Sequence, residues 1–368
     1  MYKFFYFLLL TTLFSCGSNE KQNTNNDLLD SKPQATWYKG NTHCHTTLCG
    51  HADTTPENVT KWYHDRGYNF LILSEHNIYI DPATVKMPIG KRDDFILVPG
   101  EEVTGSSDVH TTGMNTQRYT PAKWDEIFKD EDLKIKRTKV EQIQFHVDSI
   151  GAAGGVPILN HPNFKSGVSA AELQQVNGMK MFELYNGHPQ VYNFGNEKHA
   201  SVEQKWDSLL TSGYKILGVS SDDAHSFQNW AIDKSNPGRG WVMVNSKALT
   251  PDEITASMER GDFYATNGVT LNTVDREGEV YKVSINKELT EKEVASPYVI
   301  GKKIESGNEG FLIEFITQNG EVINSTEGLE DSMSISKAKN YLRCRITYTR
   351  KIESGYEQFF AWTQPRFI

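Results

Sequence analysis

Residues 37–77, WYKGNTHCHTTLCGHADTTPENVTKWYHDRGYNFLILSEHN, read in succession as strand, loop, helix and strand. The first strand covers 37–42, and a second apolar run covers 70–74. Between them, Thr55-Pro56-Glu57 supplies a cap, a proline suited to a first helical turn and an acidic residue at the positive end of the helix dipole, and Gly67 stops the helix. A strand–helix–strand unit of this length builds parallel pairing. The same grammar recurs along the chain. Further apolar runs lie at 95–98, 156–159, 179–184, 216–220 and 241–244, separated by amphipathic patterns such as KVEQIQFHVDSIGAAGG, EQKWDSLLTSG and LTPDEITASMERG. Seven short strands alternating with helices predict an α/β fold, a distorted (β/α)7 TIM-like barrel, with a flat doubly wound sheet as the alternative.

After Leu271 the pattern changes. YKVSINKEL, GFLIEFIT, YLRCRITYTR and QFFAWTQPRF alternate apolar and polar residues between turn-like dipeptides, predicting a small antiparallel β-rich, sandwich-like domain over 271–368. At the other end, residues 1–15 carry one lysine before an apolar run too short to span a bilayer, which reads as a signal peptide. Leu13-Phe14-Ser15-Cys16 resembles a bacterial lipobox. Cys16 is then the lipidated first residue, 16–36 a polar tether and 37–270 the catalytic barrel; an ordinary secretory signal is the alternative. The expected location is the cell envelope, facing the periplasm or the outer surface, with the membrane engaged through the lipid at Cys16.

The chain of 368 residues has a formal charge of -9 with its acidic residues scattered, so it offers no basic footprint for long nucleic acid. No protein partner is implied. Besides Cys16, three cysteines remain, Cys44, Cys49 and Cys344, without the spacing of a disulfide framework, although a Cys44–Cys49 bridge is conceivable.

The chemically able residues cluster just after the predicted strands. His43 and His45 close the first strand; with period-two alternation their imidazoles share one face while Cys44 turns to the other. His51 follows in the loop. His76 follows the second strand and Glu102 the third, with His110 close behind. His161 follows the fourth, Asn186 the fifth, and Asp223 and His225 the sixth. Loops at the carboxyl ends of barrel strands converge on one mouth. Imidazoles and carboxylates delivered there suit divalent ions, and a set this large exceeds what one ion needs, so two or three ions of Zn, Mn or Fe are expected. Clustered ions activate a bridging water and clamp phosphoryl oxygens, which makes hydrolysis the natural chemistry. Arg239 and Asn186 are candidates for holding substrate, and Asp222 for supporting a ligand.

These motifs, in this order, resemble the PHP (polymerase and histidinol phosphatase) superfamily. HCHTTLCGHA is similar to its H-x-H motif with a further His, SEHN to T-D-H with Glu75 in place of Asp, PGEEVT to P-G-x-E, and NHP and SDDAH to its later elements. GRGWVMV and GDFYATNGV are similar to the carbaryl-hydrolase-like branch. The resemblance implies a distorted (β/α)7 barrel with a trinuclear centre: His43, His45, Glu102 and Asp223 around one ion, Glu102 bridging to a second at His110 and His161, and His51, His76 and His225 around a third. His51-Ala52, where many carbaryl-hydrolase-like relatives have S-D-G, favours the full set. The implied activity is hydrolysis of small phosphate mono- or diesters by a metal-bridged water. The competing readings are a carbamate, ester or amide hydrolase using the same site, and a non-catalytic metal- or glycan-binding surface lipoprotein.

Overall fold

The computed structural model describes residues 1, 35–86, 94–105, 108–120 and 137–368. All but Met1 of the expected signal peptide, the expected lipid site at Cys16 and nearly all of the expected tether lie outside the described residues. Contacts divide the chain into 1–34 and 35–368, and the second unit carries everything below.

Its strands, in chain order, are β1 (Thr36–Asn41), β2 (Phe70–Leu71), β3 (Ile96–Leu97), β4 (Gly100–Thr104), β5 (His110–Met114), β6 (Val156–Leu159), β7 (Met181–Asn186), β8 (Leu217–Ser221), β9 (Trp241–Ser246) and β10 (Phe263–Thr266). They continue as β11 (Leu271–Asp275), β12 (Val280–Ile285), β13 (Lys302–Ile304), β14 (Gly310–Thr317), β15 (Glu321–Glu327), β16 (Glu330–Ser334), β17 (Tyr341–Ile352), β18 (Gly355–Thr363) and β19 (Arg366–Phe367). The helices are α1 (Pro56–His64), α2 (Lys139–Ala152), α3 (Ala170–Leu173), α4 (Val202–Thr211), α5 (Pro251–Arg260) and α6 (Lys287–Val294).

The fold is mixed α/β with several sheets, and among the described residues no sheet closes into the expected TIM-like barrel. The main sheet runs β15-β14-β17-β18-β10-β9-β1-β2-β3, and a separate five-stranded sheet runs β4-β5-β6-β7-β8. β1–β2–β3 and β6–β7–β8 are parallel as the strand–helix–strand reading requires. β9, however, returns antiparallel to β1, and β4 and β5 form an antiparallel hairpin whose second strand pairs with β6. These reversals break the uniform parallel order that a TIM barrel needs. Two isolated parallel bridges, Cys44 to Ala224 and His76 to Glu102, tie the sheets together where the ligand-bearing segments lie.

Side chains from both sheets share one core. Phe70, Ile158, Met181, Val219, Val242 and Phe263 pack in a single buried cluster, capped by Ile254 and Met258 of α5. Gly40 is required there, because a Cβ would stand 2.0 Å from the Phe70 ring. α5 has the read-off start and stop: Thr250 caps with its side chain accepting from the Glu253 N–H, Pro251 opens the helix, and Gly261 ends it at φ 77°.

The later strands join the same main sheet. β18 pairs with β10 and β17 with β14, while β11, β12 and β16 make a small sheet of their own. The residues of YKVSINKEL after Ile285 are helical, because Asn286 caps α6 through its side chain.

Candidate metal centre

Glu102, on β4, is fully buried and stands at the centre of the cluster. His76 Nδ1 lies 2.8 Å from one of its oxygens; His110 Nδ1 lies 3.1 Å, and the Nε2 atoms of His43 and His161 lie 3.3 and 3.4 Å, from the other. Asp223 faces the same point from the end of β8, with Oδ1 3.3 Å from His43 Nε2 and 3.4 Å from His45 Nε2. The two Nε2 atoms of His43 and His45 are 3.1 Å apart. On the exposed side, His225 Nε2 and His51 Nε2 are 3.0 Å apart, and His45, His76 and His225 turn ligand atoms toward one another. All nine expected ligand positions therefore meet in one region. His76 adjoins both Glu102 and the His45–His225 group rather than one of them alone.

The orientation of His43 shows what this region is suited to hold. Its Nδ1 stands 2.7 Å from Glu183 Oε1, a carboxylate that accepts only, so the neutral ring carries its proton on Nδ1 and aims the Nε2 lone pair at His45 and the two carboxylates. Lone pairs and carboxylate oxygens gathered at 3.1–3.4 Å repel unless a cation lies among them. Ligands at tetrahedral angles around an ion with bonds of about 2.0–2.1 Å stand about 3.3 Å apart. The donor set thus fits divalent metal.

The local field agrees. Burial opposes charge on His43, but Asp223, Glu102 and Glu183 outweigh it and raise its pKa well above the ordinary range, so that without an ion a proton takes the place on Nε2 that a metal would occupy. Burial likewise opposes the ionised form of Glu102, yet His76, His43 and His110 keep it well below the ordinary carboxylate range. The site favours positive charge at its centre.

Two of the candidate ligands also carry backbone strain. His161 and Asp223 adopt φ of 28° and 50°, values that cost non-glycine residues about 1–3 kcal/mol. Each is held in place: the His161 N–H donates to Glu183 Oε2 at 2.6 Å, and the Asp223 N–H to the His43 carbonyl at 2.9 Å.

Glu183 is the functional residue that the sequence reading passed over. Fully buried on β7, it accepts from His43, from the His161 backbone, from Ser221 Oγ at 2.5 Å and from Asn186 Nδ2 at 2.7 Å. Its position at the carboxyl end of the fifth predicted run, beside Asn186, was the available signal. Asn160 has a similar part, donating to Glu102 at 2.8 Å. Asp222 accepts from Tyr63 and from the N–H groups of Gly238, Arg239 and Gly240, so it fixes the loop before β9; burial raises its pKa to about 6.

Asn186 reaches Asp223 at 3.3 Å, beside the ligands. Arg239 is turned inward instead: its terminal nitrogens donate to the carbonyls of Gly187 and Ala231 and to Asn236, which braces the 231–236 loop. Cys44 is buried away from the cluster with its thiol on the Ile72 carbonyl, Cys49 lies near His45 and Glu75, and Cys44, Cys49 and Cys344 are all free.

The chain is similar to a crystal structure of a two-domain protein of Bacteroides vulgatus ATCC 8482 containing a predicted PHP-like metal-dependent phosphoesterase. The identity is 12%, over 91% of this chain and 95% of that one, with a TM-score of 0.44. No family model matches the chain, and no curated protein matches it. The reading of the site rests on its own residues.

Proposed function

We propose that the protein is a metal-dependent phosphoric ester hydrolase of PHP type, holding two or three divalent ions and acting on small phosphate esters as an exported, lipid-attached enzyme. The observation that carries this reading is the convergence of seven imidazoles and the carboxylates of Glu102 and Asp223 in one region, with His43 oriented by Glu183 so that its Nε2 faces both carboxylates. Such ions, when bound, supply a nucleophilic water at neutral pH and neutralise charge developing on a phosphoryl group.

The chain's own groups do the rest. Burial of His43, His45 and Glu102 excludes bulk water and strengthens every charge interaction at the centre. Asn160 and Asn186 fix Glu102 and Asp223 by amide donors. His188 accepts the Gln190 N–H on Nδ1 at 3.2 Å, so its neutral ring keeps the proton on Nε2 and offers a donor beside His225, at a centroid separation of 6.1 Å.

Glu102→Ala and Asp223→Ala test the reading together. Each is expected to lower the metal content of protein purified without added metal and to reduce hydrolysis of aryl phosphates by at least about a thousandfold, in keeping with loss of several kcal/mol of charge stabilisation. Full activity in either variant refutes it, and turnover of aryl carbamates far above phosphate esters would replace it with carbonyl chemistry.

A further inference from the structure

Next to the metal centre is a second recessed surface with a different chemistry. A cavity of about 290 Å³ is lined by Asn186 and His188 on one side and by Tyr192, Phe194, Ile232 and Lys302 on the other. Asn186 contacts Asp223 and His188 faces His225, so the cavity adjoins the cluster across those two residues. Its far wall is apolar and open: Tyr192, Phe194 and Ile232 are 47%, 41% and 63% exposed. Three large apolar side chains gathered in the solvent around one hollow leave a surface that burial of a ligand would stabilise. Lys302 Nζ sits 4.6 Å from the Phe194 ring centroid and forms no ion pair among the described residues. The Arg239 guanidinium also lines the cavity, so with the Nε2 proton of His188 the lining carries two cations, an imidazole donor and no carboxylate.

We propose that this cavity is the subsite for the organic group of the substrate and that it takes a single planar aromatic ring bearing acceptor or negatively charged atoms. The inference rests on the phosphoesterase reading of the adjoining centre. The volume is near the lower end of ligand pockets, which limits the occupant to about one ring system. Tyr192 and Phe194 offer ring faces and edges on which a flat group packs better than a puckered one, by about 0.5–1.5 kcal/mol. Lys302 and His188 favour acceptors at its rim and disfavour a cationic group.

Benzyl phosphate and cyclohexylmethyl phosphate test this directly, because both expel a primary alkoxide and differ mainly in the flatness of the ring. The benzyl ester is expected to have a kcat/KM about threefold to tenfold higher, the range that the aromatic packing energy implies. In the double variant Tyr192→Leu, Phe194→Leu that ratio should collapse to about one; both residues are exposed, and an unchanged urea midpoint verifies folding. A ratio of one in the unchanged protein, with both esters hydrolysed, overturns the subsite and leaves the phosphoesterase reading standing. If metal-loaded protein hydrolyses neither ester, the phosphoesterase reading fails, and calorimetry with benzyl phosphonate then decides the subsite. Binding lost in the double variant supports it, and binding absent or unchanged overturns it.

Discussion

At the scale of single residues, Glu183 shows how a group with no free face shapes the centre. All its hydrogen-bond partners among the described residues are protein donors, and its effect passes through the orientation of His43 and the strained backbone of His161. Glu183→Gln keeps the size but removes the charge that fixes the His43 proton on Nδ1. Loss of such a supporting carboxylate generally costs ten- to a hundredfold in metal affinity or activity. The variant is expected to lose metal to a competing chelator about ten- to a hundredfold more readily while its urea midpoint moves little. An unchanged metal affinity would show that Glu183 only packs. The candidate ligands were legible because they gather just after apolar runs, with alternation fixing the shared face of His43 and His45. Glu183 was not, since its partners His43, Ser221 and His161 lie 140, 38 and 22 residues away. The placing of Arg239 was not legible either: Gly187, Ala231 and Asn236, which take bonds from its terminal nitrogens, could not be read as its neighbours from the loop sequence alone.

At the scale of elements, the apolar runs marked β1, β2, β3 and β6 to β9, and the capping signals marked α1 and α5, but β4 and β5 escaped. Those two strands bury Glu101, Glu102, Thr111 and Thr112, so the sequence shows polar residues where a strand template expects apolar ones. The hairpin is paid for in burial of polar groups, and α2 behind it continues the pattern. His146 on α2 is fully buried, with Nδ1 3.1 Å from Thr111 Oγ1 and Nε2 2.7 Å from the Gln142 amide. Burial, helped by nearby His110, lowers its pKa to about 3. An unfolded histidine titrates near 6.5, so the folded state binds fewer protons than the unfolded one between those values. The stability contributed by keeping His146 neutral is therefore complete above about pH 6.5 and is lost as pH falls toward 3. Between pH 7.5 and 5 the loss is about 2 kcal/mol. Urea unfolding of the unchanged protein and of His146→Gln at both values should show the gap between them shifting by about that amount in favour of the variant at pH 5. A constant gap would mean that the ring already takes up a proton inside the fold.

At the scale of the whole molecule, the parallel units were legible in the repeated strand–helix grammar, whereas their order in the sheets was not, because which edge a strand pairs with depends on contacts far apart in sequence. The later strands show this best. Alternation announced them as antiparallel, but nothing local announced that β18 would pair with β10 and extend the sheet that carries β1. A second fastening reinforces that seam. Arg343 on β17, fully buried, donates through Nε and Nη2 to the two carboxylate oxygens of Asp207 on α4 at 2.8 and 2.7 Å, and Nη1 lies 2.8 Å from Glu203. Tyr341 OH donates to Asp207 as well, at 2.8 Å. Asp207→Ala leaves the guanidinium with only Glu203 and strands most of a buried charge, which typically costs about 3–5 kcal/mol. The pair fastened this way also links the stability of the ligand-bearing strands to that of the later ones. Asp207→Ala should lower the urea midpoint correspondingly, with loss of bound metal and loss of tryptophan fluorescence structure falling on one curve. Pairing it as Asp207→Leu with Arg343→Met removes both charges and should recover a large part of the stability. Two separated transitions in the single variant would show that the later strands melt without disturbing the metal centre, and that the Arg343–Asp207 pair serves their attachment alone.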